Sequence, residues 1–134
     1  MWTYIQKTGE LSFNGAHVEN GYSGADEGKN NPSLQAVHDV GPIPQGEWTI
    51  TGPPFNSPDH GPFVLRLMPS NGTNTFGRAG FLMHGDSSEH PGCASKGCII
   101  MPRTVREKVW TSGDTELRVF ALQPTEDATP DAVA

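Results

Sequence analysis

Apolar residues in this chain come in short bursts that alternate with polar ones and are cut every few positions by glycine or proline. Residues 2–7 (Trp-Thr-Tyr-Ile-Gln-Lys) and 10–13 (Glu-Leu-Ser-Phe) flank Thr8-Gly9, which predicts a hairpin, and Asn14-Gly15 signals the next turn. Residues 20–32 are glycine, asparagine and short polar side chains, which predicts a surface loop. Gly41-Pro42-Ile43-Pro44-Gln45-Gly46 predicts a rigid turn that sets the chain direction before a strand over 47–51. A second Pro/Gly loop over 52–62 precedes a strand over 63–68, and Asn71-Gly72-Thr73-Asn74 makes a turn. Short buried strands are predicted over 80–83 and 98–101, and an alternating last strand over 115–122. One segment has helical spacing. Pro102 suits a first helical position, Val105 and Val109 share a face, Glu107 and Lys108 point elsewhere, and Gly113 ends the run. Trp48 and Trp110 sit among apolar neighbours and are expected in the core. The pattern predicts a mainly β domain over residues 1–122 with one short helix, and a disordered tail over 123–134.

Composition narrows this picture. A chain of 134 residues suits one domain with one core, and its 16 Gly and 12 Pro leave no room for a long helix. The net charge of −6 argues against a nucleic-acid partner, which needs a basic face. No apolar run approaches the ~18–20 residues of a membrane span. The amino-terminal residues show no charged region followed by an apolar stretch, so synthesis in the cytoplasm without a signal peptide is expected. Two cysteines do not make a disulfide scaffold; they fit a catalytic thiol or idle thiols equally.

The densest chemistry lies in residues 84–98. His84 directly follows the apolar run Gly80-Phe81-Leu82-Met83, and Cys98 directly precedes Ile99-Ile100-Met101. A thiol and an imidazole at strand ends, joined by a tight loop, are the parts of a cysteine nucleophile and its base. A free thiol with a pKa of ~8.5 is mostly protonated at neutral pH and needs such a partner or a local positive potential. Gly97 allows a sharp turn and leaves room for a substrate, and the backbone N–H groups of Gly97 and Cys98 are candidate oxyanion donors. Ser95 is a candidate to bond the imidazole or to hold the loop. In a second reading His84, His90, Cys93 and Cys98 bind zinc; their spacing and order, with both histidines before both cysteines, do not match a familiar finger. A third reading makes the cysteine a small buried hydrophobe and the histidine a satisfied polar residue. Cys93 is either inert or a partner for Cys98 in an oxidising compartment. His17, His38 and His60 show no partner in sequence and read as surface or structural residues.

Ser95-Lys96-Gly97-Cys98-Ile99-Ile100-Met101 resembles the Ser-His-Gly-Cys-Ile-Arg-Met signature of L,D-transpeptidase catalytic domains, in which an upstream His-Gly, matched by His84-Gly85, supplies the base. Lys96 and Ile100 depart from that signature. Together with Gly21-Tyr22-Ser23-Gly24, Gly28-Lys29-Asn30-Asn31-Pro32, Gly41-Pro42-Ile43-Pro44-Gln45-Gly46 and His84-Gly85-Asp86, the chain over residues 2–122 resembles the L,D-transpeptidase effectors of bacterial type VI secretion systems.

The resemblance implies an L,D-transpeptidase-like β-sandwich acting on peptidoglycan stem peptides without a metal or other cofactor. It implies that Cys98 attacks the carbonyl of meso-diaminopimelate at stem position three and expels D-alanine. His84 would take the thiol proton and return it to the leaving amine. Water or a free D-amino acid would then resolve the thioester, depleting the tetrapeptide donors of the victim cell. The implied partners are a cognate immunity protein and type VI secretion components, and the implied place of action is the periplasm of a target bacterium. Four further residues are candidate substrate contacts. Arg103 offers a forked donor pair to a stem-peptide carboxylate, or is a solvated helix-start residue. Tyr22 lines the cleft or staples its loop to the sheet. Gly85 and Asp86 follow the base, and Asp86 orients His84, meets a substrate amine or simply makes a turn. The competing class is a noncatalytic, zinc-stabilised binding domain on the same sandwich. A peptidase acting on ordinary protein lacks the local signatures of the familiar cysteine proteases around Cys98.

Overall fold

The structure, a computed structural model, describes residues 1–123; the tail expected beyond Gln123 lies outside the described residues. The chain runs β1 (Trp2–Ile5), β2 (Glu10–Phe13), β3 (Ala16–Asn20), β4 (Tyr22–Ser23), β5 (Gly46–Ser57), β6 (Gly61–Ser70), β7 (Leu82–His84), β8 (Ile99–Ile100), α1 (Arg103–Thr111) and β9 (Glu116–Phe120), with two short 3-10 turns, Asp26–Gly28 and Pro32–Leu34, between β4 and β5. This is the expected mainly β architecture with one short helix after Cys98.

All nine strands pair into one mixed sheet in the order β3-β2-β1-β9-β5-β6-β7-β8-β4. The two edge strands, β3 and β4, are separated in sequence by Gly21 alone. Laid flat, nine strands would hold their edges roughly 40 Å apart, whereas one intervening residue spans only about 7 Å between its neighbours. The sheet therefore rolls until its edges meet. Gly21 marks the seam: its N–H donates to Gly9 O at 2.8 Å, and its Cα lies against Ile100. The result is one sheet rolled about one core, not two separate sheets.

The core follows from the two-residue period of the strands. Trp2 and Tyr4, Trp48 and Ile50, Leu65 and Leu67, and Leu117 and Val119 are alternate positions of β1, β5, β6 and β9, and all are buried. Each large side chain so buried contributes about 1.5–3 kcal/mol. Val105 and Val109 bring α1 onto the same cluster. Trp48 is fully inside and donates its indole N–H to Pro44 O at 3.0 Å, while Trp110 is half-buried against the cluster and fills the space beside Gly52.

Several boundaries differ from the sequence pattern. β3, unforeseen, continues from the Asn14-Gly15 turn. The expected loop over 52–62 is mostly ladder: β5 reaches Ser57 and β6 begins at Gly61. Pro53 and Pro54 are accommodated because they sit in the register shift between Thr51 and Phe55, where the ladder asks for no N–H donor. Pro102 caps α1 rather than opening it. Cys98 lies just before β8, not on it.

The seam has a direct test. A Cβ on Gly21 would stand 1.9 Å from Ile100 O, a backbone atom with no freedom to withdraw while β4 and β8 stay paired. Gly21→Ala is expected to lower stability by at least about 2 kcal/mol, read as a lower urea midpoint.

Candidate active site

β7 and β8 are parallel, with Met83 opposite Ile99 and His84 opposite Ile100. Parallel neighbours need a long crossover, and residues 85–98 supply it. This register sets Cys98 level with Leu82, two positions from His84 along the adjoining strand. His84 and Cys98 thus stand at opposite ends of their strands, and only the shortness of β7 and β8 brings them together. Both line one cleft of about 500 Å³, with Gly97, Arg78, Lys96 and His60.

His84 is buried. Its Nδ1 lies 2.8 Å from Gly85 O, and a carbonyl only accepts, so Nδ1 carries the proton and Nε2 holds a lone pair. Nε2 is buried and has no hydrogen-bond partner among the described residues. Burial pulls the imidazole below its ordinary range; neighbouring His60 and Arg106 act in the same direction, against the Gly85 bond.

Cys98 is partly exposed, and its thiol donates to Gly80 O at 3.8 Å, not to His84. Burial pushes the thiol up, partly offset by a backbone bond from Leu82 and by the charge of Arg78. The two directions agree: burial favours the neutral thiol of Cys98 and the neutral imidazole of His84 over a thiolate–imidazolium pair.

Three buried side chains hold the loop of Cys98: Ser95, in the second of its two expected roles, and Ser23 and Arg78, for which the sequence suggested no role. Ser95 does not touch the imidazole. Its Oγ accepts from the N–H groups of Gly24 at 2.8 Å and Gly97 at 3.0 Å and donates to Cys98 O at 2.7 Å. The Gly97 N–H is therefore committed inward, which removes it from the expected oxyanion donors. Ser23, on β4, donates to Gly97 O at 3.1 Å and accepts from Ile43 N at 2.9 Å. Arg78 donates to Gln35 O, to Pro42 O and Gly41 O at 2.8 Å each, and to Lys96 O at 3.2 Å. Its guanidinium so ties the Gly41-Pro42 turn to the residue two before Cys98. Gly97 has φ +130°, and a Cβ there would lie 2.4 Å from Arg78 Nη2, which explains why a glycine precedes the cysteine.

The candidate substrate contacts are placed elsewhere. Tyr22 OH donates to Asp86 Oδ1 at 2.7 Å and accepts from Ala94 N at 2.8 Å. Asp86 also accepts from Ser87 N at 2.8 Å and Gly92 N at 3.1 Å. Burial would raise the Asp86 carboxyl, but the bonds from Tyr22, Gly92 and Ser87 hold it below its usual range. The pair staples the 85–98 crossover to β4, and Asp86 does not reach the His84 ring nitrogen, which Gly85 already occupies. Gly85 supplies that acceptor and leaves space for Arg106, whose Nη2 would lie 2.8 Å from a Cβ there. Arg103 is exposed, pairs with Glu107 at 3.0 Å and lies over the Phe63 ring, outside the cleft wall.

His60 and His38, read from sequence as surface or structural, both line the cleft. His38 Nε2 lies 3.1 Å from Phe76 O, and His60 stacks on His84 with centroids 4.4 Å apart. Arg78 is a lone basic residue among glycines, and His60 lies 24 positions before the ring it meets; neither carries a local signal. His90 is exposed, and no group of three or more His, Cys, Asp or Glu is placed to hold a metal ion among the described residues. The four candidate zinc ligands are therefore not gathered.

Compared with known proteins, residues 17–123 match the family described as the Tlde1 domain. No curated protein matches the chain.

The charge of Arg78 on the thiol is measurable without a substrate. In a Cys93→Ser background, Arg78→Met is expected to raise the thiol pKa further and to slow iodoacetamide labelling of Cys98 at pH 8 by about threefold or more. Labelling is followed by mass spectrometry, with a lower melting temperature as the companion effect of four lost carbonyl contacts.

Proposed function

The chain belongs to the Tlde1 domain family, a type VI secretion effector family, and on that premise we propose that it is an L,D-carboxypeptidase and L,D-transpeptidase of peptidoglycan. Its substrate is the tetrapeptide stem, cut between meso-diaminopimelate and D-alanine. The observation that supports this most is the unpartnered, buried Nε2 of His84 in the cleft that holds the Cys98 thiol. A buried nitrogen left without a partner loses a hydrogen bond unless a reacting group supplies one.

The neutral resting pair sets the order of events. Substrate enters, the thiol leaves Gly80 O, and Cys98 Sγ bonds to the diaminopimelate carbonyl carbon while its proton passes to His84 Nε2. The Gly85 carbonyl stabilises the imidazolium through Nδ1–H. Collapse of the tetrahedral adduct breaks the C–N bond, and the amine of D-alanine leaves with the proton from Nε2. The thioester then meets water, whose proton His84 takes and returns to the thiol as tripeptide leaves. A free D-amino acid attacking in place of water gives the exchange product. Ser95, Ser23 and Arg78 keep the Gly97–Cys98 backbone in place throughout.

Delivery by the secretion machine would bring the protein to the periplasm of a target cell, and a cognate immunity protein covering the cleft would protect the producer. Among the described residues no helix is long and apolar enough to cross a membrane.

Purified tetrapeptide muropeptides, with and without a D-amino acid, provide the test, with products weighed by mass spectrometry. Wild type is expected to release tripeptide and, with the amino acid, an exchanged tetrapeptide. Cys98→Ala abolishes both products, His84→Gln lowers kcat by about 10²–10⁴, and Cys93→Ser stays active. Full hydrolysis by Cys98→Ala would overturn the assignment. The base must be neutral to act, and its pKa is lowered in the fold. Activity should therefore persist on the acid side of the ordinary histidine range, with the acid limb of kcat/KM below pH ~6.5.

A further inference from the structure

His60 stands at the tip of the β5–β6 hairpin, a part of the chain that the 85–98 crossover does not include. Ser57 Oγ accepts from Asp59 N at 3.2 Å and from His60 N at 3.1 Å, which fixes the tip. From there the half-buried His60 ring reaches over the cleft and lies on His84, with centroids 4.4 Å apart and planes inclined by 32°. We propose that His60 is a positioning residue for His84, whose stacked ring fixes the plane in which the imidazole presents Nε2 to the reacting proton. The proposal rests on the reading of His84 as the base.

One hydrogen bond does not orient an imidazole. The Nδ1–H bond to Gly85 O restrains one atom, so rotation of the ring about that bond is limited only by what packs on its faces. A second ring packed on its face removes that rotation. The pairing also acts on charge. His84 is faced by His60 from the hairpin, Arg106 from α1, Asp86 from the crossover and Cys98 across the cleft. Of these, His60 is the only cationic-capable group in ring contact, and two stacked imidazoles resist carrying two protons. His60 thereby disfavours the protonated form of His84, in the same direction as burial.

Two substitutions separate plane from charge. His60→Phe keeps a flat ring without the titrating nitrogens; His60→Ala removes both. Each is made in the full chain and read in two ways. The first is ¹⁵N NMR of the His84 ring without substrate, giving its tautomer and titration midpoint. The second is kcat and KM on tetrapeptide muropeptide.

For His60→Ala we expect kcat to fall on the order of tenfold with KM little changed, and the Nδ1–H tautomer to become mixed. For His60→Phe we expect the tautomer and most of kcat to be restored, with the midpoint and the acid limb moved to higher pH. Wild-type kcat and tautomer in His60→Ala would overturn the proposal, as would a rise in KM alone, which would make His60 a substrate contact. If His60→Ala does not fold, His60→Ser takes its place, and wild-type kcat and His84 tautomer in it overturn the proposal. Absence of turnover in the wild type would sink the proposed reaction, while the substrate-free spectra would still decide the role of His60.

Discussion

Gly21 is the one residue between the two edge strands of a nine-stranded sheet, and the site depends on that constraint. Rolling the sheet to satisfy it sets β4 beside β8. That pairing delivers Ser23 to the Gly97 carbonyl, Gly24 to the Ser95 hydroxyl and Tyr22 to Asp86 on the crossover. The first strands of the chain thereby hold a loop that lies some 70 residues later. The close approach needs a residue without a side chain, since the backbone of Ile100 fills the space where a Cβ would stand.

The loop of Cys98, the proposed nucleophile, is held by hydrogen bonds, and His84, the proposed base, lines the same cleft. Ser95 and Ser23 take up the backbone groups of Gly97 and the carbonyl of Cys98, and Arg78 takes up the carbonyl of Lys96. These bonds use polar groups that would otherwise be orphaned in a buried turn, so they stabilise the fold and position the thiol at once. Burial acts oppositely on the two reacting groups, raising the thiol and lowering the imidazole. Both groups are thereby held toward their neutral forms, and a neutral thiol is less reactive toward stray electrophiles than a thiolate. Arg78 opposes the shift of the thiol, whereas His60, stacked on His84, adds to that of the imidazole.

The chain belongs to the Tlde1 domain family, and Cys98 and His84, singled out by their sequence pattern, line one cleft. The residues proposed as substrate contacts were less legible. Asp86 sits two residues after His84 and Tyr22 lies 62 positions before it, yet together they tie down the crossover, a loop rich in small residues. Arg103, adjacent to the motif in sequence, is turned outward by the first turn of α1 and spends its charge on Glu107.

Local chemistry explains what was readable from the chain alone. Alternating apolar residues mark strands, Val105 and Val109 mark a helix face, and a His-Gly and Gly-Cys pair at the ends of apolar runs mark a candidate thiol and base. Each of these depends on neighbours a few positions away. Tertiary structure alone decided the rest: that Pro53 and Pro54 lie within a ladder, that Arg78 clamps the turn beside the cysteine, and that His60 stacks on His84. The last two join residues tens of positions apart, and the first turns on where a hairpin ladder breaks its register. No periodicity records which distant side chain a rolled sheet will bring into reach.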